Sequence, residues 1–334
     1  MKKTLFRITA IVLALLVGLT VFEVSTRIVR SRTPQKRSTA VPSNSFWPKN
    51  TLGFRDRNYR IGKPTGFFRI AVIGDSFTWG HGVTAWDTYP KRMERALAGF
   101  NRSLQIEVPN CSQRGWNTVA ELRALEKDVL LLEPDVVVVG FCLNDPEPSN
   151  PQDRDALLAE VKRHMPSSKL GANLYKWSSF YRFSFDRIEN TRQRRAFLSY
   201  YQKLYDDDYS GWQACVEALS GMQERLSAQD IRFSVVIFPV FDSPLKETYP
   251  YRALHDKIMD ICAFRGIPCL DLLPFYEGID PSRLTVVPFT DPHPSEIAHR
   301  IASDAIIGFL KAEGLLPEMQ KKEPAVRPEP APMP

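Results

Sequence analysis

The sequence is poor in cysteine. Five cysteines in 334 residues are too few and too scattered for a disulfide scaffold, and their odd number leaves at least one thiol unpaired in a monomer. Cys262 and Cys269 flank a predicted helix-to-strand turn, where the spacing allows a bridge. Hydrophobic residues make up 43% of the chain and charged residues 25%, so it can bury one sizeable core, and we expect one domain plus termini.

Several motifs that mark cofactor chemistry are absent. Gly80-His-Gly82 has no third glycine, and no glycine-rich loop ends in Gly-Lys-Ser or Gly-Lys-Thr, which argues against a bound nucleotide. The Gly-x-Ser-x-Gly turn of one large hydrolase class is also missing. The chain has five histidines, and His81 and His293 are not spaced as metal ligands. The sequence therefore predicts no cofactor and no metal site.

The N-terminus carries an apolar run with basic flanks. Lys2, Lys3 and Arg7 precede the 15 residues 8–22, a run that is long for a signal-peptide core and short for a membrane span. No small-x-small cleavage site follows it. We therefore favour an uncleaved membrane anchor over residues 1–30, with a removed signal peptide and a packed amphipathic helix as the alternatives. Basic residues flank both ends of the run, so they do not choose its orientation.

The chain is basic, with a net charge of +6 and a pI near 9.0. Such a charge balance fits an anionic partner such as nucleic acid or membrane headgroups. Much of the excess lies just after the apolar run and within residues 182–195. We therefore expect a solvated or membrane-facing surface and no nucleic-acid partner.

Composition divides the rest of the chain into segments. Residues 31–66 are interpreted as a linker and docking segment, and residues 67–315 as the main domain. Residues 146–210 form an aromatic and basic insertion suited to a lid or a binding wall, and the Pro-rich tail, residues 316–334, is expected to be disordered. The predicted elements of the main domain are strands 68–73, 104–108, 135–140, 231–238 and 268–273 and helices 88–99, 118–132, 211–228, 250–265 and 295–312.

The alternation of these strands and helices predicts an α/β fold with a doubly wound parallel sheet of about five strands. Residues 135–140 have the unbroken apolar character of a central parallel strand. Thr118-Val-Ala-Glu121 has the spacing of a capping box at the start of the second helix. The chain shows no internal repeat.

Polar side chains follow the first three predicted strands. Ser76 comes directly after strand 68–73, and residues 110–115 and the Asn144-Asp145 pair follow the next two strands. If these strands are parallel neighbours, all three loops emerge at one edge of the sheet. A fourth segment, residues 289–294, holds Asp291 and His293 in a short proline-stiffened turn before the last helix.

Each of these residues also has a plain structural interpretation. Ser76 can cap a helix, Gly115 can permit a positive φ angle, and Asn144 can close a turn. Asp291 and His293 can belong to a surface turn. Taken together, however, they supply a nucleophile, a base, an orienting carboxylate and several hydrogen-bond donors, which is a complete set for acyl transfer.

The same residues resemble the four sequence blocks of the SGNH (GDSL-type) hydrolases. The resemblance covers residues 67–145 and 231–312 and implies a flavodoxin-like three-layer α/β/α hydrolase that acts on esters. The blocks are Gly74-Asp-Ser-Phe, Asn110-x-x-x-x-Gly115, Gly140-x-x-x-Asn144-Asp145 and Asp291-Pro-His293-Pro.

By this match Ser76 is the nucleophile, His293 the base and Asp291 its orienting partner, while Ser76, Gly115 and Asn144 form the oxyanion hole. The chain departs from the family pattern twice. Gly140 stands four residues before Asn144 instead of two, and the Asp-x-His spacing replaces the commoner Asp-x-x-His.

The sequence as a whole suggests a membrane-anchored, metal-independent serine esterase with its catalytic domain in the periplasm or outside the cell. O-Acetyl groups on an envelope carbohydrate are one candidate substrate, since Trp79, Trp116 and Trp177 can stack on sugars. A lipase or thioesterase and an O-acyltransferase are alternatives on the same residues. A catalytically silent carbohydrate-binding scaffold is the alternative from another class.

Overall fold

The computed structural model describes residues 2–32, 49–101, 103–287 and 291–318. These residues form two compact units. One contains residues 2–32 together with 150–203, and the other, the sheet unit, contains residues 49–149 and 204–318 apart from the gaps just given. Most of the predicted linker, residues 33–48, and most of the predicted tail, residues 319–334, lie outside the described residues.

The sheet unit is built on a parallel sheet with a buried centre. Every residue of the fourth strand is buried, in agreement with its unbroken apolar sequence. The strand order is β2-β1-β4-β5-β6, with β3 also paired to β1. The strands are β1 (Phe67–Gly74), β2 (Gln105–Glu107), β3 (Asn110–Ser112), β4 (Val136–Phe141), β5 (Arg232–Ile237) and β6 (Cys269–Asp271).

The second predicted strand is split in two. β2 pairs with residues 67–69 of β1, and β3 pairs with residues 72–74 of the same strand. Pro109 stands between the two pieces, where it has no N–H to donate to a ladder but still accepts from Val72 N at 2.9 Å. Counted as one interrupted strand, β2 and β3 give five positions in the order 2-1-3-4-5. The prediction of a doubly wound α/β/α sheet of about five strands is confirmed.

Helices cover the sheet. Two pairs pack through polar contacts: Tyr89 N donates to His299 Nδ1 at 3.2 Å, and Thr118 Oγ1 lies 3.2 Å from Cys215 Sγ. These contacts join α3 to α12 and α4 to α8. The helices of this unit are α2 (Ser76–Trp79), α3 (Tyr89–Leu97), α4 (Thr118–Ala124), α8 (Ser210–Ser227), α9 (Arg252–Phe264), α10 (Leu273–Tyr276), α11 (Pro281–Leu284) and α12 (Glu296–Ala312).

The start and end of α4 differ from prediction. Asn117 caps the helix, with its side chain accepting from Ala120 N at 3.0 Å, so the predicted capping box at Thr118 and Glu121 is wrong. Asn is as good an N-cap as Thr, and here it shifts the cap by one residue. Glu121 is buried instead of reaching back to the cap. After Ala124, the predicted helix 118–132 continues only as a π-helical turn over Leu125–Val129 and a 3₁₀ turn over Leu130–Leu132.

The other unit is helical. It contains α1 (Lys2–Arg32), α5 (Pro151–Ala159), α6 (Lys169–Trp177) and α7 (Ser179–Leu204), so most of the predicted insertion is helical. By length and composition, Lys2–Val29 of α1 can cross a membrane, and no residue of its most apolar window is buried. The same features fit a signal sequence or a signal anchor.

All five cysteines are free thiols. The spacing of Cys262 and Cys269 allowed a bridge, but both residues are free thiols. The neighbouring Cys262 thiol and burial raise the pKa of Cys269 well above its ordinary value.

Candidate active site

Ser76 is the first residue of α2, and one residue, Asp75, separates it from the end of β1 at Gly74. Asp75 caps this short helix, and its carboxylate accepts from Phe77 N at 2.8 Å. Asp75 is buried, whereas Ser76 is half-exposed at the carboxyl edge of the sheet. Ser76 Oγ lies 2.9 Å from His293 Nε2 and 3.3 Å from Asp75 Oδ2.

His293 and Asp291 lie on a strand and not in the predicted turn. The short strand β8 (Asp291–Pro294) pairs antiparallel with β7 (Thr285–Val287). Alternate residues of a strand point to the same side, so the Asp-x-His spacing places both side chains together. Phe289 and Thr290, the start of the predicted segment, lie outside the described residues.

The three side chains form one row of hydrogen bonds. Asp291 Oδ1 lies 2.6 Å from His293 Nδ1 and also accepts from His293 N at 3.1 Å. With its proton on Nδ1, the imidazole presents an unprotonated Nε2 to the Ser76 hydroxyl. Burial would raise the pKa of Asp291, but hydrogen bonds from His293 and His81 outweigh it and hold the pKa well below its usual range. Asp291 is therefore an anion at any pH where the imidazole can act as a base.

His81 joins this row, which the sequence analysis did not anticipate. Its Nε2 lies 3.5 Å from Asp291 Oδ2, and its ring centroid is 4.4 Å from that of His293. Arg114 Nη1 lies 3.4 Å from His81 Nδ1, and since an arginine only donates, the proton of His81 belongs on Nε2, facing Asp291. The Asp291 carboxylate therefore lies between two imidazoles.

The same three groups qualify by distance as a metal-binding cluster. Ligand atoms of His81, Asp291 and His293 all lie within 4.8 Å of one another. The interpretation that His81 and His293 are not spaced for a common site was therefore wrong, because it considered separation along the chain and not the fold. Asp291 Oδ1 is hydrogen-bonded to His293 Nδ1 at 2.6 Å, and Asp291 Oδ2 lies 3.5 Å from His81 Nε2.

The loop that carries His81 is held by a buried arginine. Arg55 Nη1 donates to Trp79 O at 3.1 Å and to Gly80 O at 2.9 Å, and its Nη2 donates to Val83 O at 2.9 Å. Arg55 lies in the segment predicted to dock on the domain. These bonds fix the loop between α2 and α3, and with it the position of His81.

Trp79 is not available for the predicted stacking on a sugar. It is 7% exposed, and the guanidinium groups of Arg55 and Arg114 lie 4.3 and 4.7 Å from its ring. Arginine stacks well on indole, so Trp79 serves to hold these two side chains. Trp116 is half-buried with its ring 6.3 Å from Phe54, and Trp177 belongs to the helical unit.

Gly115 and Asn144 lie in the loops that follow β3 and β4, the two strands that neighbour β1 at this edge. Gly115 follows β3 by three residues and has a φ of 78°, a conformation that glycine adopts without strain. Asn144 follows β4, and its Nδ2 lies 3.5 Å from Asp75 Oδ2. Since Ser112 and Gly140 both pair with Gly74, both loops leave the sheet beside Ser76.

Gly140 has a packing role. A β-carbon on this residue would overlap the hydroxyl oxygens of Tyr89 and Thr78, which are hydrogen-bonded to each other at 2.8 Å. Gly74 meets the same limit, since its β-carbon would overlap Thr78. Both glycines let α2, and therefore Ser76, lie close against the sheet.

Two buried carboxyl groups lie behind the site. Burial, followed by the charge of Asp75, raises the pKa of Glu121 well above its ordinary value, and burial with Glu121 and Asp75 does the same for Asp145. Neither oxygen of Glu121 has a hydrogen-bond partner among the residues that the structure describes. Both carboxyl groups therefore keep their protons to a higher pH than exposed acids do.

His299, which the sequence analysis treated as structural, is completely buried on α12. Burial and the charges of Arg92, Arg55 and His293 lower its pKa to about 3. The imidazole is therefore neutral, and its Nδ1 accepts a hydrogen bond from Tyr89 N at the start of α3. It acts as a packing element between two helices.

A hydroxyl, an imidazole and a carboxylate in a hydrogen-bonded row at the carboxyl edge of a parallel sheet define the serine-hydrolase class of site. The model of the GDSL-like Lipase/Acylhydrolase family matches residues 72–301. The chain belongs to this family and is an ester-hydrolysing serine hydrolase.

Solved structures of enzymes also resemble the chain. LAE5, an alpha/beta hydrolase enzyme from the metagenome of Lake Arreo, Spain, is 15% identical with a TM-score of 0.46, covering 78% of this chain and 99% of its own. Axe2, an acetylxylan esterase from Geobacillus stearothermophilus, is 17% identical with a TM-score of 0.43, covering 75% of this chain and 96% of its own. A search of curated proteins found no match.

Proposed function

We propose that the protein is an esterase whose nucleophile is Ser76, whose general base is His293 and whose orienting carboxylate is Asp291. The observation that supports this most is the continuous row from Ser76 Oγ to His293 Nε2 at 2.9 Å and from His293 Nδ1 to Asp291 Oδ1 at 2.6 Å. A serine hydroxyl needs such a base, because it is a weak nucleophile while it keeps its proton.

In the proposed reaction Ser76 Oγ attacks the ester carbonyl carbon while its proton passes to His293 Nε2. The tetrahedral intermediate collapses, the alcohol leaves with the proton from Nε2, and an acyl-Ser76 ester remains. Water then loses a proton to the same Nε2 and attacks the acyl carbon, which frees the acid and restores Ser76. Asp291 keeps its charge throughout and stabilises the imidazolium.

The oxyanion hole is proposed to consist of the backbone N–H groups of Ser76 and Gly115 and the side-chain amide of Asn144. All three belong to loops that leave neighbouring strands at one edge. Donors of this kind stabilise the negative charge that develops on the carbonyl oxygen during attack. In the free enzyme the Asn144 amide faces Asp75 at 3.5 Å, and we propose that it turns from there to the oxyanion.

We further propose a short acyl group, with O-acetyl esters of an envelope carbohydrate as the substrate class. Beside His293 the space is occupied by aromatic rings: the Phe77 ring lies 5.6 Å from the imidazole and packs on Phe238 and Phe241 at 6.0 and 6.3 Å. We propose that these rings bound the acyl side of the site, where they favour an acetyl group over a long chain. This supports an acetylesterase over the lipase or thioesterase alternative.

The cellular place that we propose is the membrane surface on the envelope side, with α1 as an uncleaved anchor. Support comes from its length and composition, because Lys2–Val29 contains an 18-residue window with a mean hydropathy of 2.4. An envelope location would bring the enzyme to carbohydrate esters.

The substrate proposal is tested by comparing acetyl, butyryl, octanoyl and palmitoyl esters of one alcohol and one thiol, together with acetylated oligosaccharides, on the full chain in detergent. We expect kcat/KM to be highest for acetyl and to fall with chain length, and Ser76→Ala to abolish turnover of every substrate. A maximum at octanoyl or longer would overturn the acetyl assignment. Turnover by Ser76→Ala equal to that of the unsubstituted enzyme would overturn the nucleophile.

A further inference from the structure

In the helical unit, α6 carries an exposed apolar stripe. Leu170, Leu174 and Trp177 are 70%, 39% and 70% exposed. Their spacing of four and then three residues places them on one face of the helix. Three large apolar side chains aligned on one exposed face differ from the single exposed apolar residues that any protein carries.

A neighbouring face of α6 packs on α7. Tyr175 Oη lies 2.8 Å from Asp186 Oδ1, and its ring lies 5.5 Å from that of Phe185 in an edge-to-face contact. Gly171, on the same side, is buried against Tyr181. α7 therefore covers the side of α6 that carries Gly171 and Tyr175, and the stripe lies outside this contact.

The corner between α6 and α7 is held by α1 through both helix ends. The Glu23 carboxylate accepts from Ser178 Oγ, Ser179 N and Phe180 N at 2.8, 2.8 and 2.9 Å, and so caps the start of α7. Arg27 Nη2 donates to Trp177 O, the last carbonyl of α6, at 2.9 Å. An anion at a helix N-terminus and a cation at a helix C-terminus match the dipoles of both helices.

Because Glu23 and Arg27 both belong to α1, these contacts fix the position along α1 at which the junction of α6 and α7 is attached. Glu23 directly follows the apolar run of residues 8–22, and Arg27 lies about 6 Å farther along the helix axis. The polar interfacial layer of a bilayer is about 5–7 Å thick on each side. A corner attached between these two residues lies in that layer, where tryptophan is the preferred side chain.

Two lysines beside the stripe also fit a position in the polar interfacial layer of a bilayer. Lys169 and Lys176 are exposed and flank the stripe on one side of α6, and Lys176 Nζ lies 5.3 Å from the centre of the Trp177 ring. Lysines next to an apolar helix face pair with anionic headgroups while the apolar face enters the acyl boundary.

We propose that the stripe of Leu170, Leu174 and Trp177 is a membrane-docking surface that inserts into the interfacial layer of the lipid bilayer anchored by α1. This inference rests on the membrane anchoring proposed above. It adds a second attachment, which fixes the helical unit on the bilayer surface. Since residues 8–22 are short for a span, the second attachment also adds apolar area at the end of the run.

The test uses the full chain in vesicles of phosphatidylcholine and phosphatidylglycerol, with a nitroxide label on single introduced cysteines. Leu174→Cys reports the stripe, and Ala172→Cys, which is exposed about 160° away around the same helix, is its matched control. Leu13→Cys reports the anchor. The unsubstituted chain, whose cysteines are buried or half-buried, gives the labelling blank.

We expect oxygen to relax the Leu174 label more strongly than a water-soluble nickel chelate, by a ratio several-fold above that of the Ala172 label. Glu23→Gln should lower this ratio, because it weakens the contact that holds the corner. Equal ratios at Leu174 and Ala172 with the Leu13 label in lipid would overturn the docking surface and leave the anchor standing. A water-accessible Leu13 label would overturn both.

Discussion

The Asp291 carboxylate contacts two imidazoles, and this sets it apart from a carboxylate that serves one histidine. His293 Nδ1 lies 2.6 Å from Oδ1, while His81 Nε2 lies 3.5 Å from Oδ2. Arg114 in turn fixes the tautomer of His81, so the donor proton faces the carboxylate. His81 is therefore a candidate positioning residue, which acts on the reaction through Asp291.

His81→Ala should lower kcat about three- to tenfold with little change in KM, because one orienting hydrogen bond is lost while the substrate contacts remain. His81→Gln keeps an N–H donor and should recover part of the loss. His164, exposed in the helical unit, gives the matched control His164→Ala with unchanged kcat. Equal kinetics for His81→Ala and His164→Ala would remove His81 from the site.

Asn144→Ala should lower kcat by about a hundred- to a thousandfold, since an oxyanion-hole donor acts mainly in the transition state. The substitution leaves the row of Ser76, His293 and Asp291 intact. Steady-state kinetics on a soluble acetyl ester give the measurement, with the exposed Asn173→Ala as the control. Near-normal turnover by Asn144→Ala would exclude the amide from the oxyanion hole.

Glu121→Gln tests the neutral buried acid. Between pH 4.5 and the raised pKa of the folded state, Glu121 keeps its proton in the folded chain and loses it in the unfolded chain. The free energy of unfolding therefore falls as pH rises from about 4.5 towards the raised folded pKa. Because glutamine does not ionise, the variant does not lose this part of the free energy of unfolding as pH rises. At pH 8 it should therefore be more stable than the parent by about 1 kcal/mol or more.

Urea unfolding at pH 5 and pH 8 measures this effect. The difference between variant and parent should be small at pH 5 and favour the variant at pH 8. A variant that is destabilised more at pH 8 than at pH 5 would mean that Glu121 is ionised and paired in the folded state.

At the scale of elements, β8 explains the unusual spacing of Asp291 and His293. The sequence analysis placed both residues in a turn, because two prolines flank His293, and it could not foresee the pairing of β8 with β7. In a strand the Asp-x-His spacing keeps both side chains on one side. The capping box at Thr118 failed for a related reason, since Asn117 offers an equally good cap one residue earlier.

Gly140→Ala tests how α2 is seated on the sheet. Its β-carbon would overlap the Tyr89 and Thr78 hydroxyl groups, and we expect a loss of about 1–3 kcal/mol in the free energy of unfolding. Activity should fall as well, because α2 carries Ser76. Gly308→Ala on α12 has no atom within 4 Å of its new β-carbon and should be neutral or stabilising. If both variants unfolded at the same temperature, the close-packing role of Gly140 would be wrong.

At the scale of the whole molecule, the sequence predicted that the strands are parallel neighbours, but it predicted only some of the contacts between side chains. Ser76, the 110–115 segment and Asn144 follow neighbouring parallel strands, so their convergence followed from topology alone. His81 could not be found this way, because its place depends on Arg55 and Arg114, which come from separate parts of the chain. The one feature of the sequence that pointed to His81 is that it lies five residues after Ser76, in the loop that follows α2.

The joining of α1 to residues 150–203 in one compact unit was also beyond the sequence. It depends on Glu23 and Arg27 meeting the ends of α6 and α7, more than 100 residues away. Charge indicated a solvated or membrane-facing surface just after the apolar run and within residues 182–195, whereas the exposed apolar stripe lies on α6. The boundaries of the segments along the chain remain predictions.

The central claim is that Ser76 is the nucleophile activated by His293. The most direct test is to treat the folded full-length protein with a fluorophosphonate and to locate the adduct by peptide mass spectrometry. We predict one adduct, on Ser76, formed at least a hundredfold more slowly in His293→Ala and absent in Ser76→Ala. A folded protein that stays unlabelled, or an adduct on another residue with Ser76 unmodified, would contradict the account.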